Sequence, residues 1–165
     1  LFVTDDMSVK EYVSDRFSDL PNTTISEAEL SDGLSIVYNN QRASHVQLDD
    51  AEVWGFGTFF NDNGFHTSAL ESIRDLDGLV DLLRHRLRGH YVFVINSNSG
   101  VRVIPDKIGP LNIFYSDSDS RYISTDPTIV SICASNTTLA EQEVKEFILN
   151  ESTVGKQTIF LAQND

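Results

Sequence analysis

At Gly89 the hydrophobic period of the chain changes from helical to strand-like, and no other stretch limits the available folds as much. Before the switch, Leu79, Val80, Leu83 and Leu87 recur at helical spacing, with Asp77 placed to cap the start and Gly89 placed to receive a left-handed C-terminal turn. Arg84, Arg86 and Arg88 complement the negative end of that helix, which accounts for them without an anion site. After the switch come four short runs of strand character, residues 91–95, 101–104, 112–115 and 122–124, with turns at 96–100 and 116–120. Consecutive short strands joined by tight turns predict an antiparallel meander.

Upstream, residues 34–38 follow an Asp32-Gly33 turn signal and read as a strand, as do 45–48 and 53–60. Gly55 and Gly57 interrupt the last of these between Trp54, Phe56 and Phe59, which marks a bulge or a close backbone approach. The turn at 61–64 follows. Residues 8–20 place Val9, Val13, Phe17 and Leu20 near helical spacing, with Ser8 and Glu11 in capping-box register, but Tyr12 and Val13 also suit a strand, so helix and strand both stay open there. Thr138 and Glu141 form a second capping-box pair ahead of Val144, Phe147 and Ile148, predicting a closing helix whose apolar face covers the sheet. The expectation is one α+β domain over residues 1–165, of a size that buries a core without staples.

A formal net charge of -13 repels phosphate backbones and anionic headgroups, so nucleic acid and membrane surfaces are not expected as partners. No apolar run approaches the roughly 20 residues of a membrane span. The single cysteine, Cys133, excludes an intrachain disulfide and a Cys-rich zinc site, and suits a cytoplasmic location. The chain starts at Leu1 with no initiator Met and no basic-then-apolar leader, which reads as a piece of a longer cytoplasmic protein.

Chemistry-bearing motifs are sparse. His45, His66, His85 and His90 lack a second ligand at metal spacing, and Asp117 and Asp119 lack the glycine and terminal glutamate of a calcium loop. Walker, dinucleotide-binding and serine-hydrolase signatures are missing from the sequence. The Asn-x-Ser/Thr triplets starting at Asn22, Asn136 and Asn150 read as turns and caps. Cys133, among Val130, Ser131, Ile132 and Ala134, reads as a packed thiol, and the aromatic set Trp54, Phe56, Phe59 and Phe60 as core more than pocket.

Four pieces of the second half occur in an ordered series. Leu87-Arg88-Gly89-His90-Tyr91-Val92-Phe93-Val94 leads into a strand; Asp106-Lys107-Ile108-Gly109 precedes the stretch from Leu111 to Tyr115; Ser124 ends a strand; and Gln157-Thr158-Ile159-Phe160 lies near the end. This order resembles the second half of the N-terminal glutaminase domain of asparagine synthetases, a class II glutamine amidotransferase with the N-terminal-nucleophile (Ntn) hydrolase fold. The resemblance implies a four-layer αββα sandwich of two antiparallel sheets, with Gly89, Asp106, Gly109, Tyr115 and Ser124 as family-motif positions of structural role. In that family a cysteine at the first mature position attacks the glutamine amide, with its own α-amine as base. Leu1 stands first here, and the segments that bind the substrate carboxylate and build the oxyanion hole have only a faint echo, in Ser35-Ile36-Val37-Tyr38-Asn39. The resemblance therefore implies a domain without glutaminase activity and without catalytic residues, cofactor or metal of its own. ATP and Mg would belong to a C-terminal synthetase domain of the same chain, which would be its partner, with a homodimer as a further expected contact. Two other readings stand beside it: an active glutaminase whose cysteine precedes Leu1, and a stand-alone α+β interaction module that shares only the strand pattern.

Overall fold

The computed structural model describes residues 1–18, 23–106, 112–117 and 121–133. Gly109, the 138–148 helix, the 157–160 motif and residues 118–120 of the polar turn lie outside the described residues. In chain order the elements are strand β1 (Phe2–Thr4), helix α1 (Met7–Ser18), β2 (Ile25–Glu29), β3 (Ser35–Asn39), β4 (Ala43–Gln47), β5 (Ala51–Asn61) and β6 (Gly64–Phe65). They continue with α2 (Thr67–Leu70), α3 (Leu76–Asp81) with a π-helical turn at Leu82–Arg86, β7 (Arg88–Ser97), β8 (Gly100–Pro105), β9 (Phe114–Asp117), β10 (Arg121–Ser124) and α4 (Pro127–Cys133).

The strands form two antiparallel sheets, one in the order β2-β3-β1-β10-β9 and the other β4-β5-β7-β8, with β6 added to β5. Three apolar clusters organise the molecule. Val3, Ile36 and Tyr38 of the first sheet, with Leu34 just before β3, meet Trp54, Phe56 and Val94 of the second, filling the space between the sheets. On the opposite face of the second sheet, Val53, Phe59, Phe93 and Ile95 bury Leu70 of α2 and Leu79 and Leu82 of the α3 region. On the opposite face of the first sheet, Phe2, Val37 and Tyr122 receive Val13 of α1 and Val130 of α4. Period-2 alternation divides each strand between two clusters: Trp54 and Phe56 face the first sheet while Val53 and Phe59 face the helices. The mixed α+β class and the two antiparallel sheets agree with the sequence reading.

The four-strand meander does not. β7 and β8 form a hairpin in the second sheet, whereas β9 and β10 form a hairpin in the first, where β10 pairs with β1. Two hairpins in succession look the same locally whether or not they share a sheet. Membership is decided by β1, three residues long and buried between β3 and β10.

As far as the described residues go, the open segment is a helix, α1 ending at Ser18, and its cap is Asp6 instead of Ser8: the Asp6 carboxylate accepts from the backbone N–H groups of Ser8 at 3.0 Å and Val9 at 3.2 Å. Buried Lys10 ties this helix to β2 through Glu27 and Glu29, each at 3.2 Å. Helix α3 likewise starts earlier than its pattern implies, because Asp75 accepts from Gly78 N at 2.8 Å where the pattern places Asp77 as cap. It ends in the π turn closed by Leu87 N to Leu82 O at 2.8 Å, so Gly89 is not its C-terminal residue and lies two positions into β7. Arg84 and Arg86 are in the last turn, as macrodipole compensation requires, but Arg88 is on the strand.

Candidate functional site

The family-motif positions fall in three places. Ser124 ends β10 opposite Phe2, and its hydroxyl donates to the carbonyl of Leu1 at 3.0 Å while accepting from Asp126 N at 3.0 Å. Thr125 N also reaches the Leu1 carbonyl, at 3.4 Å. The start of β1 is thus clamped in the middle of its sheet by the turn that leads into α4. Both lone-pair and proton functions of the Ser124 hydroxyl are engaged by backbone, which is a structural use and not that of a nucleophile.

Asp106 follows β8 and is 6% exposed. Its carboxylate accepts from Tyr91 N at 3.1 Å, and its own N–H donates to the Tyr91 carbonyl at 2.9 Å, closing the β7–β8 ladder at this end. His90 Nδ1 stands 3.8 Å from the same carboxylate. Burial raises the Tyr91 phenol above its ordinary value, and the Asp106 charge adds to that rise. Gly89 adjoins this corner with φ +118, and a Cβ there would fall 2.2 Å from the Thr58 carbonyl oxygen. The Tyr38–Phe56 edge contact, centroids 5.8 Å apart, links the corner to the Leu1 region, since Phe56 is opposite Val92, next to Tyr91. Gly89 and Asp106 therefore share one corner of the second sheet, and Ser124 lies at the end of β10 in the first.

Tyr115 does not join them. It is 68% exposed on edge strand β9 and lines a cleft of about 380 Å³ between the sheets, with Val101 and Val103 of β8, Ile123 and Arg121 of β10, and Leu34. Arg121 is held there by Asp5, with its Nε 2.9 Å from Oδ2, and by the Asp32 carbonyl at 2.9 Å. A second, polar groove of about 320 Å³ runs past Asp49, Asp50, Glu52 and Asn96. Among the described residues no group of three or more His, Cys, Asp or Glu side chains is placed to hold a metal ion. None of their helices is long and apolar enough to cross a membrane.

The other sequence candidates resolve as contacts. His45 stacks on Trp54 with centroids 5.0 Å apart and meets Glu52 at 2.9 Å, and His66 lies edge-on to Phe59. Cys133, half-buried on α4 against the outer face of the first sheet, has its thiol pushed up to about 11 by burial, with the Asp6 charge adding to the rise, so it is protonated at neutral pH. Trp54 and Phe56 line the inter-sheet core and Phe59 the helix-facing one. The Asp6–Tyr122 contact at 3.2 Å and the Arg121–Asp5 pair were not foreseen, because each joins residues 116 positions apart.

Three carboxylates near these contacts are held below their ordinary values. Burial works against ionisation of Asp5, but the hydrogen bonds and charge of Arg121 outweigh it. The Ser8 hydroxyl is the largest influence on Asp6, and the Ser14 hydroxyl and then Lys10 act on Glu27. The unfolded chain binds protons on these groups at a higher pH than the native one does. Their contribution to stability is therefore complete above the ordinary carboxylate range and is lost as pH falls through the lower native values. The thermal midpoint should fall from about pH 5 downward, and Asp5→Asn should remove part of that fall while lowering the midpoint at neutral pH. Parallel pH profiles for the two proteins would contradict the Asp5–Arg121 assignment.

Compared with known protein families, curated proteins and solved structures, the chain matches none.

Proposed function

We propose that the chain is the glutaminase-like domain of an asparagine-synthetase-like amide ligase, and that it no longer hydrolyses glutamine. The observation that carries this reading is the layering: two antiparallel sheets face each other across an apolar core, helices pack on both outer faces, and β1 starts in the middle of one sheet. This is the order expected of an αββα Ntn-hydrolase sandwich. Ser124 at the end of a strand, with α4 beginning three residues later, also matches the resemblance.

Amide hydrolysis in such a domain needs a nucleophile at the start of β1, a base beside it, and donors aimed at the developing oxyanion. The Ser124 hydroxyl beside the start of β1 is committed to the Leu1 carbonyl and Asp126 N. The single thiol of the chain, Cys133, is protonated and lies against the outer face of the sheet. In this reading the domain serves by packing against a synthetase half, to which ATP and Mg belong, and the amine donor arrives by another route.

Incubating the protein with glutamine and measuring glutamate by chromatography tests the proposal. Glutamate should not rise above the rate in buffer. Turnover of about 1 per second or faster, the lower range for enzymes, would overturn it.

A further inference from the structure

β5 and β7 continue past the end of the first sheet, and their overhang carries exposed polar and charged side chains where the covered part is apolar and buried. Along β5, Trp54 and Phe56 face the first sheet; by alternation so do Thr58 and Phe60, yet Thr58 is exposed and Phe60 only half-buried. Cross-strand register places His90 beside Thr58, and Arg88 and Phe65 on either side of Phe60. Phe65 is 61% exposed and rests on Phe60 with centroids 5.2 Å apart; the His90 side chain is 61% exposed and Arg88 is exposed. Among the described residues Arg88 has no ion pair. Asp106, 3.8 Å from His90 Nδ1, has a side chain only 2% exposed, and Asp62 is in the turn between β5 and β6.

Backbone geometry presents this face at a cost. His66, directly after Phe65, has φ 52 and ψ -121, a conformation that a residue with a Cβ rarely adopts, and it is held there by His66 N to Phe59 O at 2.9 Å. Charge is also distributed unevenly. On a molecule of net charge -13, Arg84, His85, Arg86, Arg88 and His90 fall within one short stretch, and Arg86 is spent on Asp81.

We infer that the Phe60–Phe65–Arg88–His90 face is a docking surface for an acidic protein segment carrying an aromatic or aliphatic anchor. Charge decides between occupants. A second copy related by a two-fold axis would bring Arg88 toward Arg88, whereas an acidic segment pairs with Arg88 and His90 while its anchor covers the exposed Phe65 ring. The surface would work in this way whether or not the chain derives from an amide ligase.

The test is fluorescence anisotropy with a labelled peptide of sequence Gly-Glu-Glu-Phe-Glu-Glu-Phe-Glu-Gly, and the same peptide with Lys for Glu as control. Saturable binding of the acidic peptide alone is expected, weakened at least about tenfold by Arg88→Glu and by Phe65→Ser, and weakened by salt. Both substituted side chains are exposed, and an unchanged thermal midpoint would show that the variants fold. No saturation up to about 1 mM, equal binding of the two peptides, or binding that Arg88→Glu leaves unchanged would each overturn the inference. So would sedimentation showing a dimer that Arg88→Glu or Phe65→Ser dissociates, because the occupant would then be a second copy.

Discussion

Gly89→Ala should cost about 3 to 5 kcal/mol, enough to leave a domain of ordinary stability largely unfolded under mild denaturant. Two effects add. The backbone at Gly89 has φ +118, outside the region open to residues with a Cβ, and the new methyl carbon would fall 2.2 Å from the Thr58 carbonyl oxygen and 2.9 Å from Phe59 Cα. Both obstacles are backbone, in the ladder between β5 and β7 at the centre of the second sheet, so no rotamer change relieves them. Gly33 is the internal control. It too has a positive φ, +70, but nothing lies within 4 Å of its added Cβ, so Gly33→Ala should cost only about 1 kcal/mol. Urea unfolding of both variants measures the difference through the midpoint at constant slope. Equal losses would mean that φ alone matters and that the Thr58 contact does not.

The same glycine shows what the sequence makes legible. A glycine between a helical and a strand period is a strong signal that the backbone turns there, and both elements are present on either side of it. Its reason differs from a helix cap: the helix closes on Leu87, and glycine is needed because two strands approach more closely than a side chain permits. Local pattern reports that a position is special, but which neighbour makes it so depends on the pairing. The Asp32-Gly33 signal was simpler, because a hairpin turn is a local object. Both residues have positive φ and join β2 to β3, with Leu30 N donating to Leu34 O at 2.7 Å.

What escaped reading has a common cause. β1 is too short for any periodicity, and β2, Ile-Ser-Glu-Ala-Glu, is made largely of residues depleted in strands; both are strands because β3 lies between them. Helix α4 likewise shows in the sequence only as the apolar surroundings of Cys133, since Pro127 to Cys133 spans barely two turns. The candidate site suffered in the same way. Ser124 and Asp106 could be singled out from the motif series, but that one holds Leu1 and the other Tyr91 follows only from tertiary contacts. Tyr115, three residues from Asn112 in a continuous pattern, gave no sign that it would leave the other positions for an open edge.

The second large effect lies in the aromatic layer under the helices, where Phe59→Ala should cost about 3 to 5 kcal/mol. Phe59 is fully buried, its ring 5.0 Å from Phe93 and 6.3 Å from Tyr91, and it belongs to the cluster that also holds Leu70, Leu79 and Leu82. Gly55 exists to admit it: a Cβ at Gly55 would stand 2.8 Å from Phe93 Cε1 and 2.9 Å from Phe59 Cζ. In the wild-type background Gly55→Ala overpacks this layer and should cost about 1 to 3 kcal/mol. With Phe59 already alanine, one of the two obstructing rings is gone and the added methyl occupies part of the vacated volume. The double variant should then be more stable than the sum of the single losses by about 0.5 to 3 kcal/mol. Strict additivity in a double-mutant cycle would show that Gly55 is required by its backbone alone, and that the two aromatic rings do not set the spacing of this face of the sheet.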